Sequence, residues 1–245
     1  MSEERVLVVS DAHLGGVPPA VDAAFHAFVD EVPQPGDHLL INGDLFEFWF
    51  EYRSVIPRRA FPTLARLAAA RRRGVRLTVV GGNHDRWSRG FWQNQLGAAF
   101  HSREVVVELA GWRSLVAHGD GVADQHLGAH LLHAITRHPL TASVFRWLHP
   151  DVGYGMVERF SGILGRSTRE AQVIARAAAA QAEWACGVLR SREDLDLMIL
   201  GHTHVPSLVA VAERRWYLNP GAWMDGFRYA AIGGRGPELL TYRPR

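Results

Sequence analysis

The chain has 245 residues, 47% of them hydrophobic, and a formal net charge of only +2. That length and apolar content suit one large domain with a sizeable buried core. The near balance of 27 basic against 25 acidic residues gives no bulk electrostatic case for a nucleic-acid partner, and the single cysteine, Cys186, rules out an internal disulfide and suits a reducing cytoplasm.

In chain order, Met1-Ser2-Glu3-Glu4-Arg5 lacks the basic and apolar regions of a secretory signal and leads into the strand-like Val6-Leu7-Val8-Val9. Residues 20–32 then carry Val21, Phe25, Phe28 and Val29 at helical spacing, and 38–41 form a second short apolar run. Residues 59–73 present Leu64, Leu67 and Ala68 at helical spacing, ending in Arg71-Arg72-Arg73, where cations suit a helix C-terminus. Further apolar runs lie at 75–80, 114–117 and 195–200. Continuous runs of this length predict strands buried on both faces, and their alternation with helices predicts an α/β layered fold.

From about residue 121 to 192 the pattern is mostly helical, including the Ala-rich stretch 175–182, and is too long for a connecting loop. It reads as an inserted helical cap. The tail pieces at 205–212, 216–218, 229–232 and 239–242 are predicted to add antiparallel strands to a second sheet. The expected architecture is therefore a four-layer αββα sandwich with a helical cap, within one domain spanning 1–245. No apolar stretch approaches the roughly 20 residues that a bilayer span needs, so a cytoplasmic location is expected.

Each early apolar run ends in a polar motif: Asp11-Ala12-His13, Gly43-Asp44, Gly82-Asn83-His84-Asp85, His118-Gly119-Asp120 and Gly201-His202-Thr203-His204. In open α/β sheets, ligands bind at the carboxyl ends of strands, so these motifs converge on one rim. Phosphate-ester hydrolysis needs an activated water, and a divalent cation lowers water's pKa from about 15.7 to about 7, while paired cations clamp an in-line displacement. The rim supplies Asp11 and His13 within reach of one ion, Asp44 placed to bridge two, the amide of Asn83, and the imidazoles of His118, His202 and His204. One Asp-x-His triplet is commonly a turn; all five motifs in this order are not a coincidence of turns. Oxygen and nitrogen donors without thiolate suit Mn²⁺, Fe²⁺ or Zn²⁺.

Taken together, the motifs from Asp11 to His204 resemble the signature of the calcineurin-like metallophosphoesterases. The resemblance implies one cation on Asp11, His13, Asp44 and His204 and a second on Asp44, Asn83, His118 and His202, with Mn²⁺ as the metal. It places His84 beside the leaving group and gives Asp85 the task of orienting His84 through its other ring nitrogen.

The cap mixes apolar Leu140, Val144, Phe145, Leu148 and Met156 with Arg137, Arg146, Arg159, Arg166 and Arg169. By composition alone, packing onto the core with solvated arginines is the simpler account, although such a surface also suits peripheral contact with an inner membrane. His126, His130 and His133 share a helical face and read as packing or solvent-facing. Closer stretches, however, are similar to the UDP-2,3-diacylglucosamine hydrolases: His118-Gly119-Asp120-Gly121, His138-Pro139-Leu140, residues 145–151, the segment around Arg166, Leu45-Phe46-Glu47-Phe48-Trp49 and His84-Asp85-Arg86-Trp87. Where the best-known branch of that group carries arginine, this chain has His84.

That resemblance implies cleavage of a UDP-linked diacylated glucosamine at its pyrophosphate, giving UMP and the acylated sugar 1-phosphate. It makes an acylated UDP-sugar the expected partner, with no nucleic acid and no protein partner indicated. Arg166 and Arg169 are candidate phosphate contacts. A soluble nucleotide or sugar-phosphate phosphoesterase is the enzymatic alternative, and a silent metal-stabilised binding module is the non-enzymatic one.

Overall fold

The computed structural model describes residues 4–122, 139–164 and 171–244. Strands β1 (Val6–Val9), β2 (His38–Asn42), β3 (Arg76–Val80) and β4 (Ala99–His101) run parallel in that order, linked by helices α1 (Pro19–Glu31), α2 (Phe61–Arg72) and α3 (Phe91–Leu96). Helix α1 opens with proline at its first position, where the missing N–H costs nothing, and stops at Val32 because Pro33 cannot continue it. Helix α2 ends at Gly74, whose φ of +96° is a left-handed conformation that glycine adopts without strain.

A second sheet holds β5 (Val105–Leu109), β6 (Trp112–Val116), β7 (Leu197–Ile199), β8 (Ser207–Ala212) and β9 (Arg215–Asn219), in the order β5-β6-β7-β9-β8. The tail departs from expectation. Only β8 and β9 join this sheet, and β9 pairs parallel to β7, whereas β10 (Arg228–Gly233) returns antiparallel to β1, β11 (Gly236–Thr241) pairs antiparallel to β10, and the first sheet widens to six strands. The edge of β1 opposite β2 would otherwise be free, and the returning β10 satisfies its N–H and C=O groups.

Alternation along the strands sorts the core into layers. Leu7, Val9, Leu39, Ile41, Leu77 and Val79 face α1 and α2, meeting Phe25, Phe28, Leu64 and Leu67. The other faces of the same strands, through Val6, Val8, Leu40 and Val80, meet Val116, Leu197, Ile199 and Leu218 of the second sheet. Complete burial of Phe25 and Phe28 is worth about 1.5–3 kcal/mol each.

The described part of the helical stretch comprises α4 (Pro139–Trp147), α5 (Pro150–Leu164) and α6 (Ala171–Ser191). Helix α6 closes the fourth layer, packing Ala185, Cys186 and Leu189 against Met198, Leu200 and Tyr217 of the second sheet. The result is the α/β sandwich of two sheets between helical layers. Helices α4 and α5 dock separately, through an aromatic cluster in which Phe145 and Tyr154 meet Phe48, Phe50, Tyr52 and Trp87. Among the described residues, no helix is long and apolar enough to cross a membrane.

Candidate metal centre

Every motif of the rim sits just past a strand: Asp11 and His13 after β1, Asp44 after β2, Asn83 and His84 after β3, His118 after β6, and His202 and His204 after β7. The loops are stitched together by backbone bonds, with Ala12 N and His13 N both donating to Asp44 O at 2.9 Å and Asp11 N to Gly43 O at 3.1 Å. Buried Asn42 crosses between the sheets, donating from Nδ2 to Ala117 O at 3.0 Å. Five of the seven expected ligands have left-handed backbone: Asp11 (φ 52°), His13 (48°), Asp44 (51°), His202 (69°) and His204 (62°). Such conformations cost of order 1–3 kcal/mol each and persist where the surroundings over-determine them.

These turns bring the side chains together. Three groups place their donor atoms within 4.8 Å of one another: Asp11, His13 and His204; Asp44, His118 and His202; and His13, Asp44 and His84. Asp44 Oδ2 lies 3.2 Å from His118 Nε2 and 3.8 Å from His13 Nε2, between the two expected ligand sets. Asp11 Oδ1 lies 3.4 Å from His204 Nε2. Asp11 Oδ1, Asn83 Oδ1 and His118 Nε2 are buried with no hydrogen-bond partner among the described residues. Burying such atoms unpaired is costly, and divalent cations coordinated by them would remove that cost.

The electrostatics lead to the same chemistry. Burial disfavours the charged imidazole of His118, but Asp44 and Asp11 outweigh it and push its pKa up to about 10. His204 likewise rises to about 10 against burial, through the adjacent carboxylates of Asp11 and Asp225. Burial would raise the Asp11 carboxyl, yet His204 and His118 bring it down to about 2, and Asp44 is held well below the usual range by the surrounding imidazoles. Burial and the nearby His118 depress His202 to about 4. The carboxylates thus draw positive charge into a buried site, and the residues present fit a pair of divalent cations.

The family model for calcineurin-like phosphoesterases matches residues 4–206. The chain belongs to this family. It is also similar to a Porphyromonas gingivalis protein named UDP-2,3-diacylglucosamine hydrolase, with 26% identity over 94% of each chain. A Yersinia pestis protein of the same name is 27% identical over 96% of this chain and 98% of its own. Among solved structures, Vacuolar Protein Sorting 29 from Cryptosporidium parvum aligns over 99% of this chain and 92% of its own, at 15% identity and a TM-score of 0.44. Family membership and the three ligand groups together support divalent-cation binding.

In this phosphoesterase three imidazoles are oriented by groups the motifs did not reveal. His13 Nδ1 donates to Glu47 Oε2 at 3.0 Å, His204 Nδ1 to Asp225 Oδ2 at 3.2 Å and His118 Nδ1 to Asn42 O at 3.0 Å. With Nδ1 committed, each ring presents Nε2 to the carboxylates, which fixes the tautomer that a cation needs. Glu47 lies only three residues past Asp44, inside a stretch the sequence had already marked, but nothing in the sequence points to Asp225. Ser10 adds a bond at 2.5 Å to Asp11 Oδ2.

The expected contact between Asp85 and His84 is not formed. His84 Nδ1 lies 2.6 Å from the backbone oxygen of Glu47, which can only accept, so Nδ1 carries the proton. Asp85 instead accepts from Leu45 N and Gly82 N, each at 2.7 Å, and pins the loop after β2 to the loop after β3. Burial and the neighbouring Asp44 raise its carboxyl. Its service to the site is to hold two backbones, which its place next to His84 in the sequence does not reveal. Arg166 and Arg169, and the face of His126, His130 and His133, lie outside the described residues.

Proposed function

We propose that the chain hydrolyses the pyrophosphate bond of UDP-2,3-diacylglucosamine, giving UMP and 2,3-diacylglucosamine 1-phosphate. The observation that carries this reading is the convergence of Asp11, His13, Asp44, His118, His202 and His204 on one rim, with the buried Oδ1 of Asn83, unpartnered among the described residues, just past β3, in a chain similar over nearly its whole length to proteins named for that substrate. Asp11, His13, Asp44 and His204 would hold one cation, and Asp44, Asn83, His118 and His202 the other, with Mn²⁺ the expected metal. Bound there, such cations lower the pKa of water towards neutrality and neutralise charge on the phosphoryl oxygens.

The protein's own groups do the rest. In the reaction, water's oxygen gives up a proton to solvent and forms a new bond to one phosphorus, while the bridging P–O bond breaks and its electron pair leaves on the departing phosphate oxygen. His84, with its Nδ1 proton held by Glu47 O, would donate a second proton from Nε2 to the departing or non-bridging oxygen, beside His13 at a ring-centroid distance of 4.8 Å. The aromatic cluster of Phe48, Phe50, Trp87 and Phe145 forms an apolar wall next to these loops. On α4, Leu140, Val144 and Trp147 are exposed at helical spacing. Both features suit acyl chains and contact with a membrane surface in the cytoplasm, and Arg166 and Arg169 are assigned to the phosphates.

The test is turnover of UDP-2,3-diacylglucosamine in detergent with added Mn²⁺, run beside a panel of soluble nucleotides and sugar phosphates. UMP and the acylated sugar 1-phosphate are the expected products. Brisk hydrolysis of a soluble ester with none of the acylated substrate would keep the cation centre and discard the lipid reading.

A further inference from the structure

Helix α6 buries four side chains, Gln181, Ala185, Cys186 and Leu189, and only the first is polar. An amide inside a protein costs free energy unless its hydrogen bonds are made, so its partners show what it is for. Gln181 Nε2 donates to Gly201 O at 3.1 Å. Gln181 Oε1 accepts from Tyr217 OH at 2.9 Å, from Asn219 Nδ2 at 3.1 Å and from Thr203 Oγ1 at 3.3 Å. Asn219 Nδ2 reinforces the same turn, reaching Gly201 O at 3.0 Å and Thr203 Oγ1 at 3.1 Å. A Cβ built on Gly119 would come within 2.6 Å of Gln181 Nε2, so the amide also seats against the residue after His118.

We propose that Gln181 is a positioning residue for the cation centre, holding the turn 201–203 from the helical layer so that His202 and His204 reach the carboxylates. Thr203 is the pivot. Its side chain is drawn inward to Gln181 and Asn219, and the residues on either side, both left-handed, are thereby turned to the rim. Without the amide, Gly201 O and Thr203 Oγ1 lose partners in a buried place, and the two left-handed residues lose part of what holds them. The inference rests on the divalent-cation reading of the centre, and it assigns α6 a part in that centre beyond packing.

The experiment compares Gln181→Met, which keeps length and removes the amide, with Leu189→Ala, which opens a cavity in the same helix and removes no polar group. Mn²⁺ binding to the cation-stripped protein is titrated by calorimetry, beside thermal denaturation. Leu189→Ala is expected to lower Tm and leave Mn²⁺ affinity unchanged. Gln181→Met is expected to weaken Mn²⁺ binding by roughly 10–100-fold, the range seen when groups behind metal ligands are removed. Should Gln181→Met fail to fold, Thr203→Val cuts the same link from the other side and carries the same expectation. Wild-type affinity in the folded variant would overturn the proposal. A wild-type protein that binds no Mn²⁺ would instead sink the cation reading on which it rests.

Discussion

Gly82 lies so close to Asp44 that a Cβ on it would fall 2.1 Å from Asp44 Oδ1 and 2.6 Å from Asp44 N. Gly82 is not left-handed, so alanine's backbone preferences are no obstacle, and the only cost is the collision. The flexible end of a surface side chain could yield; a carboxylate held between two ligand sets cannot without leaving them. Gly82→Ala is therefore expected to weaken cation binding and turnover by roughly 10–100-fold or more, by displacing the shared ligand. Gly187→Ala, in α6 with open space around its Cβ, is the control. It should leave both properties intact and gain up to about 1 kcal/mol of helix stability. Equal behaviour of the two variants in a cation titration would contradict the account.

Glu47 serves two histidines with two different atoms, its carboxylate to His13 and its backbone oxygen to His84. Side-chain replacement separates those services. Glu47→Ala should weaken cation binding at the set containing His13 by roughly 10–100-fold, because the ring loses the acceptor that fixes its tautomer. Glu47→Gln keeps an acceptor oxygen and should lie closer to wild type. The His84 contact, made by backbone, survives in both. Mn²⁺ titration of the three proteins checks the order, and an alanine variant that binds as tightly as wild type would exclude the carboxylate from the centre.

Adjacent His84 and Asp85 are expected to fail in different ways. Removing Asp85 leaves the buried N–H groups of Leu45 and Gly82 without their acceptor, at about 1–3 kcal/mol each. For a chain of this size Tm falls by about 2–4 °C per kcal/mol, so Asp85→Ala should melt several degrees early. His84→Ala removes a half-exposed ring that serves one backbone group, Glu47 O, where Asp85 holds two buried N–H groups. It should keep Tm and cation binding while losing turnover by roughly 10²–10⁴-fold, the usual worth of a proton-transferring group. If the two variants shared an unchanged Tm and an equal loss of turnover, Asp85 would be acting through His84 after all.

The sequence conveyed what depends on local spacing. Short apolar runs ending in Asp, Asn or His are enough to place β1, β2 and β3, and the ligands beyond them, because strand ends and rim coincide in an α/β sheet. It did not convey pairings between distant segments. Whether β10 lies beside β1 or extends the other sheet depends on which strand edge is free, which only the assembled core decides. Glu47 reaches His13 across 34 positions and Asp225 reaches His204 across 21, and neither separation leaves a pattern. Asp85 misled for a related reason. Its neighbour His84 is adjacent in sequence, but the left-handed turn at Asp44 presents Leu45 N to the carboxylate instead.

Stripping the cations should reveal a proton-for-cation exchange. In the cation-free protein His118 and His204 hold protons at pH 7, since their pKa values are pushed up to about 10 from an ordinary value near 6.5. The stabilisation from those protonated rings is fully present below about pH 6.5 and is lost as pH rises through about 10, so the stripped protein should melt earlier at pH 9 than at pH 7. Cation binding runs the other way, because both rings must release their protons to present Nε2 lone pairs. His202, depressed to about 4, is already neutral and contributes no proton. Mn²⁺ affinity should therefore rise between pH 6.5 and 8.5, by about tenfold per pH unit for each proton displaced. Calorimetry at pH 7 in buffers of different ionisation enthalpy measures the count directly. Two protons released per protein from His118 and His204 is the expected minimum, since against burial Glu47 and Asp44 also raise His13, and none released would mean that the imidazoles are neutral before the cations arrive.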